Sequence, residues 1–318
     1  MKITMDRCRA KNVKGLLNSE SAASTVIAAV LLLSIIFTLF AVVRIAYVPE
    51  WKDDAEQLHM SEVQRDMTEL KSTADIITFL QFSNSSAPDN SFLTVPSVTI
   101  PISMGGGEIP ILEPSKSSGI LSIDTEPCNM TIILYNSSNL PSFSETVDCG
   151  GITYYSNNRE YVDQTFRYEN GALILKQGKR SIMKEDPPFI TTSNNNSDKY
   201  NISIQIIKIK GYSDTVSSNT YASLRLNGTK VEPIYDSSSD GKDVKSFNCT
   251  ITTKYPESWM SYLSKVARKA ELKNYTDYTL ESISDNVYFN LTGSKNLENL
   301  HITKYVIGAE MGAGRSFN

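Results

Sequence analysis

The longest apolar stretch of the chain lies near its beginning. Residues 26–43 read "VIAAVLLLSIIFTLFAVV", within an uncharged segment that runs from Ser21 to Val43. A helix needs about 20 apolar residues to cross the hydrocarbon core of a bilayer. A cleaved secretory signal has a shorter apolar core of about 7–15 residues, followed by a small-residue cleavage site that is missing here. We therefore predict a membrane helix over residues 16–47 that stays on the mature protein.

A second pattern follows in charged sequence. Apolar residues recur at alternating spacings of three and four along one stripe: Met60, Val63, Met67, Leu70, Ala74 and Ile77. This period predicts an amphipathic helix, which we place over residues 48–83 as a stalk. Pro49 either kinks the membrane helix or begins the new one. We expect the stripe to pack on the chain's own external domain; a coiled-coil seam is the alternative.

Residues 84–318 have a different pattern. Short β-branched and aromatic segments alternate with turn sequences such as "ENG", "LNG" and "SDG". This spacing is typical of an antiparallel β-sandwich, and Asn170-Gly171 suits a tight hairpin turn. One helix interrupts the strands, from Pro256 through "PESWMSYLSKVARKAEL". The predicted fold class is α+β: a long N-terminal membrane and stalk helix, then a large, mainly antiparallel β domain with one helix in its C-terminal half.

Charge sets the expected orientation. The chain has a formal net charge of −4, which argues against a nucleic-acid partner. Residues 1–15 are basic, whereas the sequence after Arg44 is mostly acidic. The positive-inside rule then places the N-terminus in the cytoplasm and everything beyond Arg44 outside. We expect a single-pass protein of the cell membrane with an extracellular C-terminal domain.

Glycosylation sequons support the same orientation. All nine N-x-[ST] sequons lie beyond the apolar run, at Asn84, Asn129, Asn136, Asn195, Asn201, Asn227, Asn248, Asn274 and Asn290. We interpret them as acceptors on an exported surface; a Ser/Thr/Asn-rich β domain that forms sequons by chance is the alternative.

Three of the four cysteines lie on the predicted outer side, where disulfides form. Cys128 and Cys149 are the nearest pair, and a bridge between them would stabilise the fold by about 3 kcal/mol in the chain-entropy model. Pairing of Cys149 with Cys249 remains the alternative. None of the cysteines has the spacing of metal ligands.

The sequence contains no constellation typical of an enzyme. It has no GxSxG, HExxH or Walker motif, and His59 and His301 are interpreted as surface or packing residues. The acidic turn at residues 236–243 departs from the EF-hand pattern, so we predict a solvated turn there. We expect no cofactor, no metal and no catalytic site; a tethered extracellular enzyme is a third hypothesis, supported by the size of the domain alone.

The start of the apolar segment carries a more specific pattern. Lys14-Gly15 precede Leu16-Leu17, and Glu20 is the fifth residue counted from Leu16. This arrangement resembles the class III signal of type IV prepilins. The "KGLL" sequence is similar to the archaeal version, and the stalk resembles pilin-like or archaellin-like surface proteins of methanogenic archaea. This sequence departs from the bacterial pattern at one position: bacterial pilins usually begin with Phe after cleavage, and the corresponding residue here is Leu16.

The resemblance implies processing and assembly. A prepilin peptidase would cut after Gly15, so that residues 1–15 are a leader and Leu16 becomes the new N-terminus. In filaments of this family, helices bundle and the position-five carboxylate, here Glu20, pairs with the α-amino group of a neighbouring pilin-like subunit. The resemblance therefore implies a minor subunit of an archaeal pilus-like filament. The alternative is a monomeric, membrane-anchored surface protein that acts as adhesin, receptor or envelope component.

Overall fold

The structure is a computed structural model that describes residues 10–86, 95–196, 199–240, 244–292 and 296–312. A long helix is the first element of this part of the chain. Helix α1 (Ala10–Val42) continues through a π-helical segment (Val43–Tyr47) into α2 (Val48–Ser86). Pro49 explains the π-helical segment, because proline has no N–H to donate to the preceding turn. The N–H of Val48 donates to the carbonyl of Val43, one residue further back than in an α-helix. The predicted boundary at Pro49 is thus a π-helical turn inside one continuous helix.

The remainder of the described chain is mainly strands. They are β1 (Val98–Ser103), β2 (Ser118–Ile123), β3 (Asn129–Tyr135), β4 (Pro141–Asp148), β5 (Ile152–Asn157), β6 (Gln164–Glu169), β7 (Ala172–Gln177), β8 (Arg180–Glu185), β9 (Ile190–Asn196), β10 (Lys199–Lys210), β11 (Asp214–Ser218), β12 (Tyr221–Asp236), β13 (Ser246–Thr252), β14 (Tyr278–Ile283), β15 (Asn286–Leu291) and β16 (Asn296–Gly312). Two helices lie among them, the short α3 (Ser237–Asp240) and α4 (Pro256–Lys269). The predicted α+β class and the helix at Pro256 are confirmed.

The strands form three sheets. Their orders are β1-β12-β16-β10-β9 in the first, β11-β2-β5-β6-β7-β8 in the second and β14-β15-β13-β3-β4 in the third. Neighbouring strands are antiparallel except β10 and β16, which are parallel. The hairpin predicted at Asn170-Gly171 joins β6 to β7, and positive φ at both residues (44° and 79°) gives the turn the twist that hairpins favour.

Two apolar cores hold these layers together. In the stalk core, α2 packs on the first and second sheets, and every residue of the predicted stripe is buried there: Met60, Val63, Met67, Leu70, Ala74 and Ile77. In the Trp259 core, α4 packs with the third sheet. Strand β10 belongs to both, because Ile204 faces the Trp259 core and Ile207, of opposite parity, faces the stalk core.

Candidate functional site at the junction of α1 and α2

The apolar half of the long helix is not buried by the rest of the described chain. From Ser24 onward it contains one segment apolar and long enough to cross a membrane, and none of that segment is buried by the rest of the protein. Its large apolar side chains, Val26 and Phe37 among them, are exposed. Exposed apolar surface on this scale needs an apolar environment such as lipid or other helices. The length, composition and exposure of this helix are therefore compatible with the membrane helix that the sequence predicts.

The predicted processing and assembly residues lie on the same helix. Lys14, Gly15, Leu16 and Glu20 all fall within α1. Their side chains, like residues 1–9 of the predicted leader, lie outside what the structure describes. Cleavage after Gly15 and pairing of Glu20 therefore stay predictions.

A charged cluster begins where the apolar segment ends. Arg44 lies in the π-helical segment, and its Nη2 is 3.3 Å from Oε2 of Glu113. The Nζ of Lys52 lies 3.8 Å from Oε1 of the same carboxylate, and Nη1 of Arg159 lies 3.3 Å from it. Ser115 donates a hydrogen bond of 2.5 Å to this Oε1. The Ser115 hydrogen bond, followed by the three cations, lowers the pKa of Glu113 below its ordinary value.

Lys52 in this cluster and Glu56 next to it on α2 are fixed by burial as well as by charge. Lys52 is only 3% exposed and donates to the carbonyl oxygen of Ser115 at 3.2 Å. One turn further along α2, the buried carboxylate of Glu56 accepts backbone N–H bonds from Arg159, Glu160 and Tyr161, at 2.9–3.1 Å. A buried carboxylate is tolerated when donors surround it in this way. Glu56 therefore attaches the turn after β5 to the stalk helix.

Further polar contacts continue along α2. His59 was expected to be a surface or packing residue, and it is buried, with its Nε2 3.4 Å from the hydroxyl of Tyr154. The Oδ2 of Asp66 accepts the backbone N–H of Ser103 at 2.9 Å. Gln81, near the end of α2, donates to the carbonyl of Val306 at 3.3 Å. The stalk helix is thus held to the β domain by polar bonds as well as by its apolar stripe.

Sequence reasoning did not find Lys52, Glu56 and Asp66 as buried contacts. A signal was present for two of them, because steps of four residues back from Met60, the first residue of the apolar stripe, lead to Glu56 and then to Lys52. Charged residues at those positions look like the solvated face of a helix when their partners are unknown. The partners are distant in the sequence: Ser103 lies 37 residues from Asp66, and Ser115 lies 63 residues from Lys52.

The sequons lie on the surface of the described domain. Asn129, Asn248 and Asn290 point from the open face of the third sheet, where Asn248 and Asn290 are directly paired across β13 and β15. Asn136 and Asn274 lie in turns. The others occupy α2 or the first sheet: Asn84, Asn195, Asn201 and Asn227. The side chain of Asn195 is outside the described part, and the other eight are at least partly exposed.

The predicted Cys128–Cys149 disulfide is not formed. Cys128, Cys149 and Cys249 are free and buried in the Trp259 core, while Cys8 lies outside the described residues. Cys128 and Cys149 nevertheless lie opposite each other beyond the β3–β4 hairpin, with the N–H of Cys149 donating to the carbonyl of Cys128 at 2.7 Å. A hydrogen bond with Cys149 and then burial raise the pKa of the Cys128 thiol. The thiols behave as small apolar core groups.

The acidic turn at residues 236–243 is described as far as residue 240. Asp236 ends β12 and its carboxylate accepts from the N–H and hydroxyl of Ser238, at 2.9 and 2.7 Å. Residues 241–243 lie outside the residues that the structure describes. Within the described ranges, no group of three or more His, Cys, Asp or Glu residues is placed to hold a metal ion.

The fold and this junction together define a class of protein: a three-sheet β domain carried on a long helix whose free half is apolar enough to cross a membrane. The chain belongs to DUF7289, a family of unknown function, whose model matches residues 128–303, more than half of the sequence. That range begins just before β3 and ends within β16. No curated protein and no solved structure matches the chain.

Proposed function

We propose that this protein is a non-enzymatic, pilin-like protein of the archaeal cell surface, a minor subunit of a type IV pilus-like filament that serves assembly or adhesion. The observation that supports it is the division of one continuous helix into two halves. The half before Arg44 exposes only apolar and small polar side chains from Ser24 onward, and α2 is bound to the β domain. Such a helix can be held by lipid first and by neighbouring helices later.

The charge at the start of the apolar segment fits this proposal. A carboxylate inside an apolar helix bundle is costly unless it is paired. Glu20 lies four residues after Leu16, which is about one helical turn. Cleavage after Gly15 would therefore create an α-amino group close in depth to the Glu20 carboxylate, where it can pair with the carboxylate of a neighbouring subunit. The expected partners are the membrane, a prepilin peptidase and other pilin-like subunits.

The first test is the mass of the mature N-terminus. Purified from its native membrane, the protein should begin at Leu16. A Gly15→Asp variant should keep residues 1–15, because a bulky charged residue at the cut blocks a peptidase that needs Gly. Recovery of intact residues 1–15 on the native protein would refute processing.

The second test separates assembly from insertion. Glu20→Ala should insert and be cleaved normally but fail to enter filaments, whereas Glu50→Ala, an exposed carboxylate in the first turn of α2, should assemble as the parent does. Normal assembly of Glu20→Ala would make Glu20 an interfacial charge on an ordinary anchor.

A second candidate is a monomeric, single-pass surface protein acting as adhesin, receptor or envelope component. The distribution of sequons favours it, because glycans at Asn129, Asn248 and Asn290 would cover the open face of the third sheet and keep other subunits from it. Shearing of intact cells distinguishes the two candidates. A monomeric anchor stays with the membranes, and a filament subunit is released with the sheared material.

A further inference from the structure

A short apolar turn projects from the loop that joins β1 to β2. We name residues 109–112, Ile-Pro-Ile-Leu, the tip segment. Its base is closed by paired backbone bonds between Ile109 and Glu113, at 2.9 and 3.0 Å. Ile111 at its apex is 97% exposed and has a φ of +72°. A β-branched residue rarely adopts a left-handed backbone, so the protein spends conformational energy to present an apolar side chain to its surroundings.

The loop that carries the tip segment runs along α2 toward the membrane helix. Gly106 lies against the ring of His59, and Gly107 lies against the side chain of Glu56. On the far side of the tip, Glu113 contacts Lys52 and Arg44. These contacts descend the helix in order, from residue 59 to residue 44. At a rise of about 1.5 Å per residue the loop spans roughly 22 Å of helix, and its apex lies at the end nearest the apolar segment.

Arg44 and two aromatic residues mark the level that the tip segment reaches. Arg44 directly follows the apolar run that ends at Val43. Tyr47 and Trp51 are exposed beside it, with their ring centroids 6.0 Å apart. Arginine and paired aromatic residues at the end of a membrane helix are typical of the headgroup level of a bilayer. Because Glu113 is ion-paired with Arg44, the tip segment lies at this level too.

Polar and apolar groups of the loop are separated. Glu108 pairs with Lys116 at 3.3 Å, and Glu113 is occupied by its three cations. These charges flank the base of the turn, whereas Pro110 and Ile111 at the apex are exposed and apolar. A charged base with an apolar apex suits the boundary between headgroups and acyl chains.

We propose that the tip segment inserts into the lipid surface and gives the external domain a second membrane contact besides its helix. This inference rests on the membrane placement of α1 in the proposed function. Its consequence is a restricted tilt. A helix alone leaves the β domain free to tilt relative to the membrane, and a second contact with the lipid surface limits that motion.

Nitroxide accessibility in vesicles tests the proposal. The variants carry Cys8→Ser, and the other three cysteines are buried: Cys128, Cys149 and Cys249. The spin label therefore attaches to the cysteine that each variant adds. Three full-length variants are reconstituted in diphytanoyl phosphatidylcholine vesicles: Ile111→Cys, Leu33→Cys in the apolar segment, and Ile283→Cys in the exposed β14–β15 turn region. Each spin label is relaxed by oxygen, which partitions into lipid, and by a water-soluble nickel chelate.

If the tip segment lies in lipid, the ratio of oxygen to nickel accessibility at Ile111→Cys should be several-fold higher than the ratio at Ile283→Cys. It should approach the ratio at Leu33→Cys. A ratio at Ile111→Cys equal to that of Ile283→Cys, with Leu33→Cys in lipid, overturns the tip contact and leaves the anchor intact. Low accessibility to both reagents at Ile111→Cys shows a protein neighbour instead and also overturns it. A water-exposed label at Leu33→Cys refutes the membrane anchor itself. Near-ultraviolet circular dichroism of each variant confirms that the β domain is folded.

Discussion

The indole nitrogen of Trp259 donates a hydrogen bond of 2.8 Å to Oε1 of Glu169, which joins α4 to the end of β6 inside the protein. The same oxygen accepts the hydroxyl of Thr253 at 2.6 Å, and the other oxygen lies 3.2 Å from Nε of Arg167. Both charged side chains are at most 1% exposed. Arg167 also donates to Thr153 and to the carbonyl of Glu126, at 2.8 and 3.0 Å. This network connects the second sheet with α4 and the third sheet.

Breaking that network from one side should be costly. Glu169→Ala leaves the Arg167 guanidinium buried without its carboxylate, and we expect a loss of about 3–5 kcal/mol in the free energy of unfolding. The double variant Arg167→Met, Glu169→Leu should lose less than either single variant, because no unpaired charge remains. Urea titration followed by tryptophan fluorescence measures both. Additive losses in the double variant would mean that the two side chains act independently.

The attachment of the stalk helix at Glu56 can be tested with a near-isosteric change. Glu56→Gln replaces one acceptor oxygen by an NH₂ group that faces the backbone donors of residues 159–161. We expect a loss of about 1.5–3 kcal/mol, as for hydrogen bonds to a charged group. Hydrogen exchange should show faster exchange of these amides. Asp54→Asn, exposed on the same helix, is the control and should leave their exchange unchanged.

His59 should make stability depend on pH. Burial lowers its pKa below the ordinary 6.5, while Glu62, Asp66 and Glu56 oppose the shift and Lys116 adds to it. Below pH 6.5 the unfolded chain binds a proton that the folded chain resists, so stability is complete above that pH and declines as the pH falls. His59→Gln should reduce the difference in urea midpoint between pH 7.5 and 5.5. His301→Gln, exposed beside Asp236, should retain the His59 contribution.

The cysteines give a direct measure of the redox state. In a Cys8→Ser variant, a thiol reagent should label none of Cys128, Cys149 and Cys249 in the folded protein, because all are buried and the pKa values of Cys128 and Cys249 are raised. Denaturation should expose three thiols. Detection of a single thiol by mass spectrometry would show instead that two of the three had formed a disulfide in the cell.

Sequon occupancy should follow local structure. Asn274 is exposed in a turn, so its amide nitrogen is open to a glycosyl donor. The amide oxygen of Asn227 lies directly over Gly308 on the neighbouring strand, where a side chain would otherwise sit. Glycopeptide mass spectrometry of native protein should therefore find higher occupancy at Asn274 than at Asn227. Equal occupancy would indicate modification before the domain folds.

Local patterns predicted much of the architecture. The stripe from Met60 to Ile77, the hairpin at Asn170-Gly171 and the helix at Pro256 all depend on residues close together in sequence. The arrangement into three sheets could not be predicted in the same way. β10 and β16 are parallel neighbours although five strands lie between them in the chain, and β-branched segments do not specify such a partner.

The sequence by itself determined that this protein has one apolar segment able to cross a membrane, an amphipathic helix after it and a β-rich domain, because helical and strand periods are properties of neighbouring residues. Only the tertiary structure decided which charges are buried. Lys52, Glu56, Arg167 and Glu169 look solvated in sequence, and their burial depends on donors and acceptors that the fold brings to them from other elements and loops. The tertiary structure also placed the base of the tip segment beside Arg44, because Glu113 is ion-paired with that residue.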